Sequence, residues 1–338
     1  MKDSSNLGQT KSAAVTHFDV SDKFQIVYAR TIEIAKEYRD SGFIPIECSF
    51  GDESVVDDKY QMDHHGELSH LESVAIRAYR DHFGEKADDP RFVVTGYPDE
   101  DATFAICSLT GCLPHPTLAE KFPNAPTGTK EPASKNLLYV ANLIAKADVD
   151  PDTALSLLDS WYGRLILNWR LDAHPTARDI VAWYGGVSRW RNIFTFEDDG
   201  FIEVSKDVQE QRLSRVLDAR SQKYADGRIA VVDFSEFGPN SAYYRYWFKD
   251  ENIEVLVAFI GGPDGLGSCS FVCRDLTTAK KLFGPNGLLS AYRKLFPAGC
   301  GGRETIGGSR RGGTYSWQSA LSFGKQFEKL IVDRPVTK

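Results

Sequence analysis

The sequence predicts an α/β protein with a doubly wound parallel sheet domain, a helical connector and a smaller C-terminal α/β domain. Three patterns predict this class. Strand-like and helix-like segments alternate over residues 13–112, helical spacing runs through residues 135–192, and short strand-like segments return from residue 228. The boundaries that follow are a disordered tail at 1–12, a first domain at 13–200, a helical linker at 201–225 and a second domain at 226–338.

The elements of the first domain are predicted from apolar spacing and from capping residues. They are a strand at 13–20, a helix from Ser21 to about Arg39, a strand at 44–50, a helix at 71–83 capped by Ser69, a strand at 91–95 and an apolar run at 103–109. Strands that alternate with helices in this order are typical of a parallel sheet.

The remaining elements follow from the same signals. Residues 113–134 are rich in proline and form either a lid or a linker. Helices are predicted at 136–147, 151–170, 176–190, 204–224, 276–282 and 288–296, and strands at 228–234, 253–260 and 268–273. Four tryptophans at helical spacing indicate packing in a core rather than base stacking; these are Trp161, Trp169, Trp183 and Trp190.

The composition is that of an ordinary globular protein, with 338 residues, 42% hydrophobic and 26% charged. A formal net charge of -7 argues against a general nucleic-acid coat protein but allows a local basic pocket for a short oligonucleotide. The six cysteines form no CxxC pair, and no apolar segment is long enough for an export signal or a membrane span. We therefore expect reduced thiols, a cytoplasmic location and no membrane partner.

The first candidate site is the tripeptide Asp63-His64-His65, which follows a predicted strand and precedes a predicted helix. Open α/β sheets place their sites at such strand ends. A carboxylate beside two imidazoles supplies ligands for a divalent metal. The alternative is a solvated loop whose two histidines have no ligand role.

Two further pairs of residues lie at predicted strand ends. Asp99 and Asp101 follow the strand at 91–95, and carboxylates at this spacing can share a cation. A turn started by Pro98 would also attract acids, which is the alternative for this segment. His17 and Asp19 end the first predicted strand and can complete the metal site, or they can be an edge-strand histidine and a helix cap.

A glycine-rich, arginine-bearing run at 299–314 is the third candidate. Seven glycines let the backbone approach a ligand closely, and three arginines offer forks that match phosphate oxygens. The predicted substrate-binding residues are Arg303, Gly307, Gly308, Ser309, Arg310 and Arg311. A flexible surface hairpin is the alternative.

On these motifs the chain resembles the DHH phosphoesterase superfamily, whose members join a catalytic domain to a DHH-associated C-terminal substrate domain. The resemblance implies that Asp63 and His64 are metal ligands and that His65 touches the scissile phosphate. It further implies that Asp99 and Asp101 are ligands and that residues 307–310 form the substrate loop. In the usual order the acidic motif precedes the tripeptide, whereas here it follows, and Thr95 stands where a ligand histidine is expected.

The predicted function is a metal-dependent hydrolase of phosphate esters. Asp63, His64 and His65 are its catalytic residues, and Mn²⁺ is the expected cofactor, with Mg²⁺ and Zn²⁺ as alternatives. The expected partner is a small phosphorylated substrate or a short oligonucleotide, and a homodimer is compatible with this organisation. Two alternatives stay open: a nucleotide- or anion-binding module with a degenerate site, and a hydrolase or lyase of another phosphorylated metabolite.

Overall fold

The computed structural model describes residues 18–19, 24–50, 53–68, 70–113, 133–149, 153–171, 180–195, 206–238, 241–295, 301–309 and 314–332. The predicted tail at 1–12 and almost all of the proline-rich segment at 113–134 lie outside these residues. Parallel and mixed sheets combine with helices, so the α/β class is confirmed.

A four-stranded sheet forms the N-terminal part. Its strands and the neighbouring elements are β1 (Phe18–Asp19), β2 (Gln25–Tyr28), α1 (Ile32–Asp40), β3 (Ile44–Ile46), β4 (Cys48–Phe50), β5 (Glu53–Val55), α2 (Val74–Asp81), β6 (Arg91–Val94) and α3 (Glu100–Leu109). The strand order is β1-β2-β6-β3, in which β6 is parallel to both neighbours and β1 is antiparallel to β2. The strands β4 and β5 form a separate hairpin.

The structure corrects three predicted elements of this part. The helix predicted from Ser21 begins only after Thr31, because residues 25–28 form β2 and pair with β6. A parallel strand buried on both faces lacks polar alternation, so its apolar run is easily taken for one face of a helix. The strand predicted at 44–50 is interrupted at Glu47, whose φ is 49°, and α2 begins after Ser73 rather than after Ser69.

Helices fill the middle of the chain, as predicted. They are α4 (Ala133–Val149), α5 (Thr153–Ser156), α6 (Trp161–Leu171), α7 (Ile180–Thr195) and α8 (Lys206–Ser214). The helix predicted at 151–170 is divided by a 3-10 turn, Leu157–Asp159. Trp169 and Trp190 are buried and stacked 5.3 Å apart, and the Trp190 indole donates to Thr103 Oγ1 over 3.0 Å. Packing is therefore the role of these rings.

A second sheet forms the C-terminal part. Its elements are β7 (Ser221–Tyr224), β8 (Ile229–Asp233), α9 (Ser241–Trp247), β9 (Val255–Gly261), β10 (Leu266–Cys273), α10 (Leu276–Phe283), α11 (Leu288–Leu295), β11 (Gly301–Gly302), β12 (Ile306–Gly308), β13 (Tyr315–Ser316) and α12 (Trp317–Val332). The order is β11-β12-β10-β9-β8-β7, and only the pair β8 and β9 is parallel among the described strands. The prediction of a helix at 204–224 was wrong at the C-terminal end of that range, where β7 pairs with β8.

Buried hydrophobic side chains connect the two sheets. One cluster runs from Phe92 of β6 through Trp169 and Trp190 to Val232 of β8. The opposite face of the second sheet packs on α10, α11 and α12 in a separate cluster. The helical layer therefore lies between the sheets, while the domain limits at 200 and 225 stay predictions.

None of the helices that the structure describes combines the length and apolar character needed to cross a bilayer.

We expect Gly307→Ala to lower the free energy of unfolding by about 1–3 kcal/mol. A Cβ at this position would lie 2.5 Å from the buried ring of Tyr292, and that ring is held by its hydroxyl, which donates to Phe271 O over 3.2 Å. Gly308→Ala is the matched control, because the nearest atom to its Cβ would be Cys269 O at 3.6 Å. Urea unfolding measures both variants, and equal stabilities would contradict a packing role for Gly307.

Candidate metal centre

The candidate centre lies at the carboxyl ends of the parallel strands β3 and β6. Glu47 follows β3 directly, in a left-handed backbone conformation with φ of 49° that is rare for a residue with a side chain. Its amide donates to Met62 O over 2.8 Å, which ties the end of β3 to the segment that carries Asp63, His64 and His65. Asp99 and Asp101 follow β6 at the start of α3.

Three carboxylates surround one nitrogen of His64. Its Nε2 lies 2.9 Å from Glu47 Oε1, 3.3 Å from Asp148 Oδ2 and 3.4 Å from Asp101 Oδ2. The imidazole is only 1% exposed, and no group in the described part of the chain meets hydrogen-bond geometry at Nε2. Carboxylates that converge on an imidazole nitrogen without hydrogen bonding to it are the arrangement expected of metal ligands.

The crowding of these acids changes their pKa values. Burial, together with the charges of Asp99, Asp101, Asp148 and Asp63, raises the pKa of Glu47 well above its usual range. Burial also raises the pKa of Asp148 to about 6, and burial with the Asp101 charge raises the pKa of Asp99. Anions buried together favour protonation unless a cation lies among them. The site therefore gains stability from a bound positive charge.

Asp63 holds His65 rather than contacting His64. Its Oδ1 accepts from the His65 amide over 2.9 Å and lies 2.9 Å from His65 Nδ1, and its Oδ2 accepts from Ser49 Oγ over 2.7 Å. Burial acts to raise the pKa of Asp63, but the hydrogen bonds from His65 and Ser49 and the His65 charge hold it well below its usual range. Both oxygens thus have protein donors, and the ligand role of Asp63 stays a prediction.

The two predicted acids at the start of α3 both cap helices, and Asp101 also belongs to a group able to hold a metal ion. Asp99 accepts from the Ala102 amide over 2.9 Å at the start of α3. Asp101 accepts from Ser73 Oγ and from the Val74 and Ala75 amides, so it begins α2 while its Oδ2 faces His64. The capping interpretation and the ligand interpretation are therefore compatible for Asp101.

Two arginines, the half-buried Arg77 and the buried Arg170, support these acids. Arg77 of α2 donates to Glu72 O over 2.9 Å, to Gln61 O over 2.7 Å and to Asp63 O over 2.8 Å, which closes the loop that carries the tripeptide. Arg170 of α6 pairs with Glu100, between Asp99 and Asp101, and donates to Ser241 Oγ over 2.8 Å. Burial lowers the pKa of Arg170 to about 10, and the Asp99 charge opposes that change.

Arg303 brings the C-terminal part to the centre. It lies in the turn between β11 and β12, where its amide donates to Ile306 O over 2.6 Å, and its Nη2 lies 3.4 Å from His64 Nδ1. Gly307 and Gly308 belong to β12, and the buried Ser309 accepts from the Cys269 amide over 2.9 Å. The glycine-rich run is thus partly a hairpin anchored on β10, with Arg303 directed at Nδ1 of His64.

The side chains of four predicted site residues lie outside the described part of the chain. His17, Arg310 and Arg311 are outside the described residues, and Asp19 is described only as part of the backbone of β1. Their predicted roles stay predictions.

The sequence interpretation missed Glu47 and Asp148 as members of the centre. Glu47 directly follows the apolar Ile44–Ile46, which is the same strand-end position that drew attention to Asp99. This position at a strand end makes Glu47 a recognisable candidate ligand in the sequence. Asp148 lies in the last turn of α4, and nothing in its local sequence distinguishes it from a solvated helical acid.

Two overlapping groups of side chains are able to hold a metal ion. Ligand atoms of Glu47, His64 and His65 lie within 4.8 Å of one another, and so do ligand atoms of His64, Asp101 and Asp148.

No family model and no curated protein matches the chain. Among solved structures, the pGpG-specific phosphodiesterase PggH from Vibrio cholerae is similar at 12% identity and a TM-score of 0.32, over 58% of this chain and 68% of that one. A superposition this loose transfers neither fold nor function.

Glu47→Gln is expected to weaken Mn²⁺ binding by about 10- to 100-fold. The substitution keeps the shape of the side chain and removes one of the negative charges that face His64. Thermal unfolding with and without Mn²⁺ measures the effect, and the stabilisation by Mn²⁺ should shrink at a fixed concentration. Glu53→Gln, at a side chain that is 71% exposed, is the matched control. Equal Mn²⁺ stabilisation of both variants would contradict the assignment of Glu47.

Arg77→Leu should lower the free energy of unfolding by about 2 kcal/mol or more, because three backbone carbonyls lose a charged donor. Arg80→Leu, one turn further along α2, removes only exposed ion pairs with Glu72 and Asp81, and its expected effect is below about 1 kcal/mol. Urea unfolding of both variants with a chelator present isolates the effect on the loop. A loss no greater than that of Arg80→Leu would show that the loop does not depend on Arg77.

Proposed function

We propose that the protein is a metal-dependent phosphoesterase of the DHH type, which hydrolyses a small phosphorylated or nucleotide-type substrate between its N-terminal and C-terminal parts. The proposal rests on the groups that surround the imidazole of His64. His64 has three carboxylates at one nitrogen and the guanidinium of Arg303 at the other. A cation shell and a phosphate-binding group therefore meet at the same place.

The residues present fit a divalent cation. Glu47, His64, Asp101 and Asp148 would hold it, with His65 beside them. Oxygen ligands combined with imidazole suit Mn²⁺ best, and they also allow Mg²⁺ or Zn²⁺. When bound there, such a cation would supply a water of lowered pKa and would neutralise phosphoryl oxygens.

The chain's own groups then position the substrate. Asp63 accepts from the Nδ1 side of His65, so Nε2 of this half-exposed ring is the atom available to a phosphoryl oxygen. Arg303 supplies a planar fork for the non-reacting anionic end. Arg310 and Arg311, in the same glycine-rich run, are proposed as further contacts to that end. Holding both ends of the substrate orients the ester for attack.

The proposal assigns the catalytic part to residues 13–200 and the substrate-binding part to residues 226–338. The contact between Arg303 and His64 supports this division, because it joins residues that are 239 positions apart, one in each part. The linker at 201–225 joins the two parts.

A screen of esters with added Mn²⁺ tests the function. We expect cation-dependent cleavage within a panel of cyclic and linear dinucleotides, short oligonucleotides, polyphosphate and phosphomonoesters, and complete loss of turnover in EDTA. His64→Asn should reduce turnover by at least about 100-fold, because the ring joins the carboxylates of the shell.

His82→Asn is the matched histidine control, because His82 faces Glu85 at the end of α2 and not the cluster. It should retain turnover. A protein that neither holds stoichiometric Mn²⁺ nor cleaves any ester would contradict the enzymatic proposal and favour the anion-binding module with a degenerate site. Cleavage that continues in His64→Asn would contradict the assignment of the centre.

A further inference from the structure

The two ring nitrogens of His64 face opposite kinds of partner. Nε2 faces carboxylates, whereas Nδ1 faces Nη2 of Arg303 at 3.4 Å. A guanidinium has hydrogen-bond donors and no acceptor. The contact with Arg303 therefore requires an unprotonated Nδ1. The proton of the neutral ring then lies on Nε2, on the side of the carboxylates, with hydrogen-bond geometry to none of them in the described part of the chain.

Binding of a cation at the carboxylates requires the other tautomer. Nε2 must offer its lone pair, so the proton moves to Nδ1, and a metal-bound histidine normally donates this second N–H to an acceptor. Arg303 cannot accept it. The contact between Arg303 and His64 and the ligation of a cation through Nε2 are therefore mutually exclusive.

We propose that Arg303 is an intramolecular competitor of the cation: it holds His64 in the tautomer that cannot bind metal, and it leaves His64 when an anionic substrate arrives. This inference rests on the proposed cation site and adds its regulation. The cation and the anionic substrate then strengthen each other's binding, by the same factor in both directions.

The position of Arg303 suits this exchange. The hydrogen bond between its amide and Ile306 O fixes the turn of the hairpin, while the His64 contact is the sole polar contact of its side chain within the described residues. A charged phosphoryl oxygen is a stronger acceptor for a guanidinium than a neutral ring nitrogen. The side chain can therefore exchange His64 for a phosphate while the hairpin stays in place.

The first test measures Mn²⁺ affinity by electron paramagnetic resonance of the free ion, with no anionic ligand present. Arg303→Gln should bind Mn²⁺ about tenfold more tightly than wild type, because the competing donor is gone and the glutamine carbonyl can accept from Nδ1. Arg220→Gln is the matched control, because it removes the same charge at a remote position. Arg220 directly precedes β7, at the end of β8 that is remote from Arg303, and its guanidinium lies 4.4 Å from the centre of the Trp317 ring. This variant should leave the Mn²⁺ affinity unchanged.

Unchanged or weaker binding in Arg303→Gln would overturn the competition while leaving the proposed enzyme intact, provided that wild type binds Mn²⁺ and cleaves an ester. A wild type that binds no divalent cation would overturn both. These two failures are therefore distinguishable.

The second test separates the tautomer from simple loss of charge. Nitrogen NMR of ¹⁵N-histidine-labelled wild type, with His64 assigned by its absence in His64→Asn, reports which ring nitrogen is protonated. We expect Nε2–H in the cation-free protein and Nδ1–H after addition of diamagnetic Mg²⁺. A ring that carries its proton on Nδ1 before the cation is added would overturn the proposal.

Discussion

The organisation of the site depends on the convergence of acidic side chains on one buried imidazole. Glu47, Asp101 and Asp148 come from a strand end, the start of α3 and the end of α4, and they meet at one nitrogen of His64. Like charges that share a low-dielectric region repel one another, which is why burial and neighbouring acids raise the pKa of Glu47 and of Asp148. A fold that brings them together is most stable when a cation lies among them.

The local backbone shows how the chain achieves this convergence. Glu47 adopts a left-handed conformation directly after β3. Asp101 accepts hydrogen bonds from the amides at the start of α2, which hold its carboxylate in place. Arg77 and Arg170 neutralise part of the charge through fixed contacts, and neither takes the position at Nε2 of His64. Fixed contacts thus surround the three carboxylates at Nε2 of His64, which is the position of the proposed cation.

The sequence indicated part of this centre. Asp63-His64-His65 and the acids after β6 were recognisable because polar residues follow apolar strands, and the cationic hairpin was recognisable because its arginines stand among glycines. Glu47 lay inside a segment that looked like one continuous strand, and only its positive φ shows that the strand ends there. Asp148 enters through packing of α4 against the site, which no local pattern encodes. The strand β2 falls within a predicted helix because a parallel strand buried on both faces lacks alternation of polar and apolar residues.

Anomalous diffraction at the manganese absorption edge, from crystals soaked in Mn²⁺, would show whether these acids and His64 hold a metal ion. We expect a peak among Glu47, His64, Asp101 and Asp148, at coordination distance from His64 Nε2, with the Arg303 guanidinium displaced from Nδ1. A fully soaked crystal with no peak at this position, or with peaks only at exposed surface acids, would contradict the assignment of these residues as a metal centre.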